Sequence, residues 1–255
     1  GKEIGISHFL EDRGIDVIET DLGDRIEQLS GEDSTFNLNL VQIASLFEKE
    51  RQRPLERDVN EVARAGAALL HEYMLKADWG LCGVNSIAAE DGALFFVENE
   101  GNIRWLTSVI HRIIFVTGIE KVVPTFEEAS YICYAVGNFG FGDVTTYVDA
   151  ISGPSGSSDI ELKRATGVHG PAELHVILLD NGRRECLKSE YKEILRCINC
   201  GACWYVCPVY GQLGKGYGYI HNMGRDLIFS RFFPDRIDSP AANLFTCSGC
   251  GPCTE

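Results

Sequence analysis

Seven cysteines in the last sixty residues carry the clearest chemistry of this 255-residue chain. The run Cys197-Ile-Asn-Cys200-Gly-Ala-Cys203-Trp-Tyr-Val-Cys207-Pro208 follows the spacing C-x2-C-x2-C-x3-C-P throughout. Cys247-Ser-Gly-Cys250-Gly-Pro-Cys253 repeats its first three ligand positions. This is the bacterial-type ligand run for [4Fe–4S] clusters, in which the fourth cysteine of a motif ligates the other cluster. Thiolates two residues apart on a tight loop reach three corners of one cubane, and Gly201, Gly249 and Gly251 permit the backbone turns this needs. Pro208 cannot continue a helix and holds Cys207 extended, so the chain leaves the first motif there. Cys197, Cys200 and Cys203 are therefore expected to hold one cluster, and Cys247, Cys250, Cys253 and the distant Cys207 the other. The first cluster then awaits a cysteine two residues beyond Glu255, and with no methionine at the start the sequence reads as a fragment.

Other uses of cysteine fit less well. A zinc ribbon pairs two C-x2-C units about 15–20 residues apart, whereas these units are triplets separated by residues 208–246. A disulfide framework belongs to short secreted chains. Cys82, Cys133 and Cys186 stand alone and read as small buried hydrophobes. Trp204, Tyr217 and Tyr219 flank the motifs and are expected to shield clusters from water. The histidines form no i, i+4 pair that would suggest a second metal site.

The elements that must position these motifs begin with an α/β region. The net charge is −14, which excludes nucleic acid as a natural partner and favours docking against basic protein surfaces. No apolar run approaches the roughly 20 residues needed to span a bilayer. Reduced thiols and clusters suit a cytoplasmic protein.

Spacing predicts helices over 7–13, 41–50, 55–76 and 125–136, the third opened by Pro54. Strands are expected over 15–20, 81–85, 86–89, 93–97, 113–116, 145–148 and 174–179. Strands alternating with helices imply a largely parallel sheet over residues 1–184. A mainly helical cluster domain follows over 185–255, with helices near 189–195 and 225–231 and a Gly/Tyr loop at 214–219.

Several segments together resemble a known family. They are Ile87-Ala-Ala-Glu-Asp-Gly92, Glu98-Asn-Glu-Gly-Asn102, Gly118-Ile-Glu-Lys-Val-Val-Pro124, Ile151-Ser-Gly-Pro-Ser-Gly-Ser-Ser-Asp-Ile-Glu161 and Gly170-Pro-Ala-Glu-Leu-His-Val-Ile-Leu-Leu-Asp-Asn-Gly182, running into the first cysteine motif. In this order they resemble the lactate-utilisation protein B family, which joins a lactate-utilisation (LUD) domain to a two-cluster ferredoxin domain. The resemblance implies a NagB/ribose-phosphate isomerase/CoA-transferase-like α/β fold followed by a helical ferredoxin domain with two [4Fe–4S] clusters. It also implies an electron-transfer role in a complex oxidising L-lactate, or a related 2-hydroxyacid, to pyruvate. Partners would include a second, cysteine-rich iron–sulfur subunit. The chain departs from the family at Glu90-Asp91-Gly92, where members usually have Glu-Thr-Gly, and at Ser108-Val109, where they have Leu-Pro. Members also extend further at both ends.

A second constellation lies in the α/β region. Glu90, Glu98, Glu100, Asn102, Ser155, Ser157, Ser158 and Asp159 fall at expected strand ends and loops, where α/β sheets bind ligands. The loop 153–159 precedes an expected helical turn whose amides would hold an anion. In the plainer reading Ser158 or Asp159 is an N-cap with Glu161 in the first turn, and the glutamates are turn residues. Two other roles stand beside electron transfer: an enzyme of its own in the α/β domain, or a docking adaptor whose clusters only hold the helical domain together.

Overall fold

The computed structural model describes residues 2–32, 38–141, 145–214, 217–218, 224–233 and 243–251. Four helices lead the chain: α1 (Ile6–Glu11), α2 (Leu22–Ser30), α3 (Leu40–Arg51) and α4 (Val59–Lys76). Helix α4 begins at Val59 rather than Leu55, because the Asp58 carboxylate caps it by accepting from the Asn60 and Glu61 amides. Residues 15–20 have no regular secondary structure and join no sheet. The Gln28 side chain takes the place of a ladder partner, donating to Val17 O at 2.7 Å and accepting from Glu19 N at 3.2 Å.

Next come β1 (Gly80–Cys82), β2 (Ser86–Ala88), β3 (Leu94–Glu98), α5 (Asn102–Val109), β4 (Arg112–Gly118), β5 (Val122–Val123), α6 (Phe126–Phe141) and β6 (Tyr147–Ile151). The hairpin β7 (Gly156–Ser157) and β8 (Ala165–Thr166) precedes β9 (Glu173–Leu179). The strands form two main sheets instead of one largely parallel sheet. Order β1–β4–β9 is parallel throughout, but in β5–β2–β3–β6 strand β3 runs antiparallel to both neighbours. The link from β2 to β3 is too short for a crossover, and the Asp91 carboxylate closes it by accepting from the Ala93 amide.

Leu70 and Met74 of α4, Leu106 of α5, Ile113 and Phe115 of β4 and Phe96 of β3 make the main core. Helix α6 covers the second sheet through Ala129 and Cys133, which pack on Ala88 and Phe95. The expected helical turn after the 153–159 loop is instead part of the β7–β8 hairpin. Beyond β9 lie the short helices α7 (Arg183–Leu187), α8 (Ala202–Val206), α9 (Tyr210–Leu213) and α10 (Asp226–Phe229). The helix expected near 189–195 is a 3-10 helix at Lys192–Arg196. Cys186, Phe229 and Phe233 form the small core of this region. Among the described residues, no helix is long and apolar enough to cross a membrane.

Candidate metal centre

The two cysteine motifs share a local backbone. Each first cysteine follows a 3-10 helix, Lys192–Arg196 before Cys197 and Leu244–Thr246 before Cys247. Cys197 has φ −63° and ψ 121°, and Cys247 has φ −59° and ψ 124°. Two residues on, Asn199 (φ 61°) matches Gly249 (φ 65°), and four residues on, Gly201 (φ 81°) matches Gly251 (φ 94°). Positive φ at every second position bends the loop into a tight turn, in which backbone N–H groups can gather into a concavity that favours an anion. The composition pointed to the three glycines. It did not single out Asn199, although asparagine tolerates this conformation better than most residues.

A cavity of ≈ 370 Å³ is walled by Cys203 and Cys207 from the first motif and Cys247 and Cys250 from the second. Trp204, Tyr210, Tyr217 and Leu227 add apolar wall, and the Trp204 and Tyr210 rings stack with centroids 5.2 Å apart. Tyr217 is nearly fully buried; Tyr219 and Cys253 lie outside the described residues. Backbone amides already donate to sulfurs here, that of Tyr210 to Cys207 at 3.4 Å and that of Gly249 to Cys247 at 3.5 Å. Burial pushes the Cys203 thiol up, the Gly224 amide opposes this, and nearby Cys197 and Cys200 raise it further. The first three cysteines are thus electrostatic neighbours. Among the described residues, no three Cys, His, Asp or Glu side chains crowd closely enough for a single metal ion. Thiol donors, amides on sulfur and an apolar wall suit a cluster, which would supply one-electron chemistry when bound.

The α/β region grips the first motif. The Lys121 ammonium, nearly buried, donates to Ile198 O at 3.3 Å, and the Tyr205 hydroxyl donates to Gly140 O at 2.9 Å. Burial pushes Lys121 down, while the adjacent Glu120 carboxylate works against that. Arg225 reaches Cys197 O at 3.5 Å and Glu120 at 3.4 Å. Glu120 also pairs with Arg183, whose guanidinium bonds Glu3 at 2.7 and 2.8 Å. Gly140 ends this packing: a Cβ there would lie 2.5 Å from Cys200 O. Gly140→Ala is therefore expected to cost roughly 1–3 kcal/mol through overpacking against backbone. It should lower iron per chain, measured colorimetrically on purified protein. Wild-type iron content would show that this contact does not hold the loop.

The α/β pocket candidates divide among separate structural tasks. Glu90 accepts from the Phe126 amide at the start of α6. Glu98 accepts from the Ile103 and Arg104 amides, supplying α5 with the cap that Gly101 lacks. That helix was not expected from the sequence because its cap comes from the preceding strand. Burial raises the Glu98 carboxyl, the two amides lower it, and neighbouring Asp149 raises it again. Glu100 accepts from the Leu22 amide and shares a ≈ 210 Å³ cavity with Asn102, Thr20 and His71. Ser155 accepts from the His169 amide, and Asp159 accepts from Ser157 in the exposed hairpin loop beside Ser158. Glu100 and Asn102 are thus brought together, and Glu98 ends β3 just before them. Glu90 and residues 155–159 bond elsewhere. Of the isolated cysteines, Cys133 and Cys186 are fully buried, and burial pushes the Cys82 thiol up to about 12.

Fold and site together define an α/β protein carrying a ferredoxin-like iron–sulfur region. The chain belongs to the LUD-domain family, which residues 3–179 match, and residues 193–255 match the 4Fe-4S dicluster domain. It is 33% identical over 266 aligned positions to lactate utilization protein B of Geobacillus kaustophilus, covering 100% of this chain and 53% of that protein. It is 31% identical to the Bacillus subtilis protein of the same name, with the same coverage. An uncharacterized electron transport protein of Escherichia coli, YkgF, is 35% identical over 99% of this chain and 53% of its own. A DUF162 family protein from Deinococcus radiodurans, of known crystal structure, is 25% identical with a TM-score of 0.31, covering 42% of this chain and 57% of that one. The chain spans about half the length of the named relatives it matches.

Proposed function

We propose that this chain is the electron-carrying part of a protein that serves oxidation of L-lactate, or a related 2-hydroxyacid, to pyruvate or the matching 2-oxoacid. The observation that carries the reading is the pair of cysteine motifs with matching backbone around one cavity. Relatives named for lactate utilisation and electron transport support the substrate class. Oxidising a 2-hydroxyacid releases two electrons and two protons, and two [4Fe–4S] clusters accept one electron each before passing both to an acceptor. In this reading Cys197, Cys200 and Cys203 serve one cluster, while Cys207, Cys247, Cys250 and Cys253 serve the other. The cluster domain begins near residue 185, and the protein works in the cytoplasm with partner subunits, one of them a cysteine-rich iron–sulfur protein. The acidic surface, with its net charge of −14, fits partners that present basic patches.

Iron and acid-labile sulfide per chain, with EPR of the dithionite-reduced full-length protein, test this. The expected result is two magnetically interacting [4Fe–4S]⁺ signals. A single cluster, or zinc in place of iron, would overturn it.

A further inference from the structure

We infer that Lys121, with Arg225 beside it, is a positioning residue that raises the reduction potential of the cluster at the first cysteine motif. The inference rests on the cluster reading above. Two consecutive carbonyls of that motif face cations: Cys197 O meets the Arg225 guanidinium at 3.5 Å, and Ile198 O meets the Lys121 ammonium at 3.3 Å. Both cationic residues are buried, Lys121 at 9% exposure and Arg225 at 7%, so water screens their charge little. They come from different parts of the chain. Lys121 belongs to the 3-10 turn Ile119–Lys121 after β4, and Arg225 caps α10.

Two effects follow from the geometry. In a planar trans peptide the N–H points opposite the C=O, so the same two contacts hold the Ile198 and Asn199 amides on the other side of the loop. Amides and local charge both tune cluster potential. Reduction adds one negative charge to a cluster, and nearby cations stabilise that charge. Glu120 moderates the effect by pairing with Arg225 and Arg183. At the second motif Cys247 and Cys250 are exposed, so water screens charge there more strongly. The two sites are thereby made unequal, and the first becomes the better electron acceptor.

Lys121→Gln keeps a donor for Ile198 O and removes the charge, whereas Lys121→Arg keeps both. EPR-monitored redox titration of the full-length variants reads the outcome. In Lys121→Gln the signal that Cys200→Ser abolishes should shift to more negative potential, and Lys121→Arg should restore it. Iron lost from Lys121→Gln but retained by Lys121→Arg would also support the role of the charge. Unchanged potentials in iron-replete Lys121→Gln, or equal iron loss in both variants, would overturn the inference. Absence of iron–sulfur clusters from the wild-type protein would instead remove the underlying reading.

Discussion

Cys207→Ser should remove about half of the bound iron and leave one isolated [4Fe–4S]⁺ signal, the one that depends on Cys200. Cys207, four residues after Cys203, lines with it the cavity that Cys247 and Cys250 wall from the second motif. It ends α8 in extended conformation, with ψ 115°, immediately before Pro208. Its side chain then lines the same cavity as Cys247 and Cys250 and packs beside Tyr217, Leu227 and Leu244. Leu244 belongs to the 3-10 helix that delivers Cys247. A serine at 207 is a harder, weaker ligand for iron than thiolate, so the cluster shared with the second motif is the one at risk. Metal binding couples to folding, so the variant should also lose protection from proteolysis in this region. Iron per chain and the EPR line shape measure the result. If Cys207→Ser and Cys200→Ser abolish the same signal, Cys207 serves its own motif and the crossover is wrong.

Arg183→Met should cost about 3–5 kcal/mol of stability at pH 7, because it strips one partner from a buried ionic chain. The Arg183 side chain is 3% exposed, and its partners Glu3 and Glu120 are 8% and 6% exposed. The guanidinium also lies over the ring of fully buried Phe229, as does that of Arg225. Burial pushes the Glu120 carboxyl up, but bonding to Arg183 and the charges of Arg183 and Arg225 outweigh it and hold it low. A carboxyl lowered on folding stabilises fully above its unfolded range, near 4.3, and loses that contribution as pH falls through the folded value. In the variant, Glu3 and Glu120 become buried acids without Arg183, and protonation relieves them. The deficit against wild type should therefore be complete at pH 7 and shrink as pH drops below about 4. Urea midpoints at the two pH values measure this. A deficit that stays equal at both would mean that lost packing, not charge, accounts for the effect.

The helices and strands were largely legible because their signals are local. Helix α3 was expected over 41–50 and spans Leu40–Arg51, and α6, expected over 125–136, starts at Phe126 but continues to Phe141. Three of the misreadings share one cause: a side chain from outside the element satisfied its backbone. Gln28 replaced the ladder of residues 15–20, Asp58 moved the start of α4, and Glu98 capped a helix that nothing in its own first turn announces. The glutamates of the α/β region were legible as unusual residues at strand ends. Their bonding to amides of other segments was not.

The sequence by itself set out the thiols and pointed to the cofactor class, because the spacing of cysteines and the αL-tolerant residues between them are properties of two short runs of consecutive residues. Only the tertiary structure decided what surrounds those thiolates. Lys121 meets Ile198 across 77 residues, Gly140 meets Tyr205 across 65, and Arg225 meets Glu120 across 105. Such pairings have no local signature, since burial of charge and close backbone approach arise only when distant segments share one low-dielectric space. The motifs specify what is bound, and the α/β domain packed against them sets the charge and amide environment in which it would work.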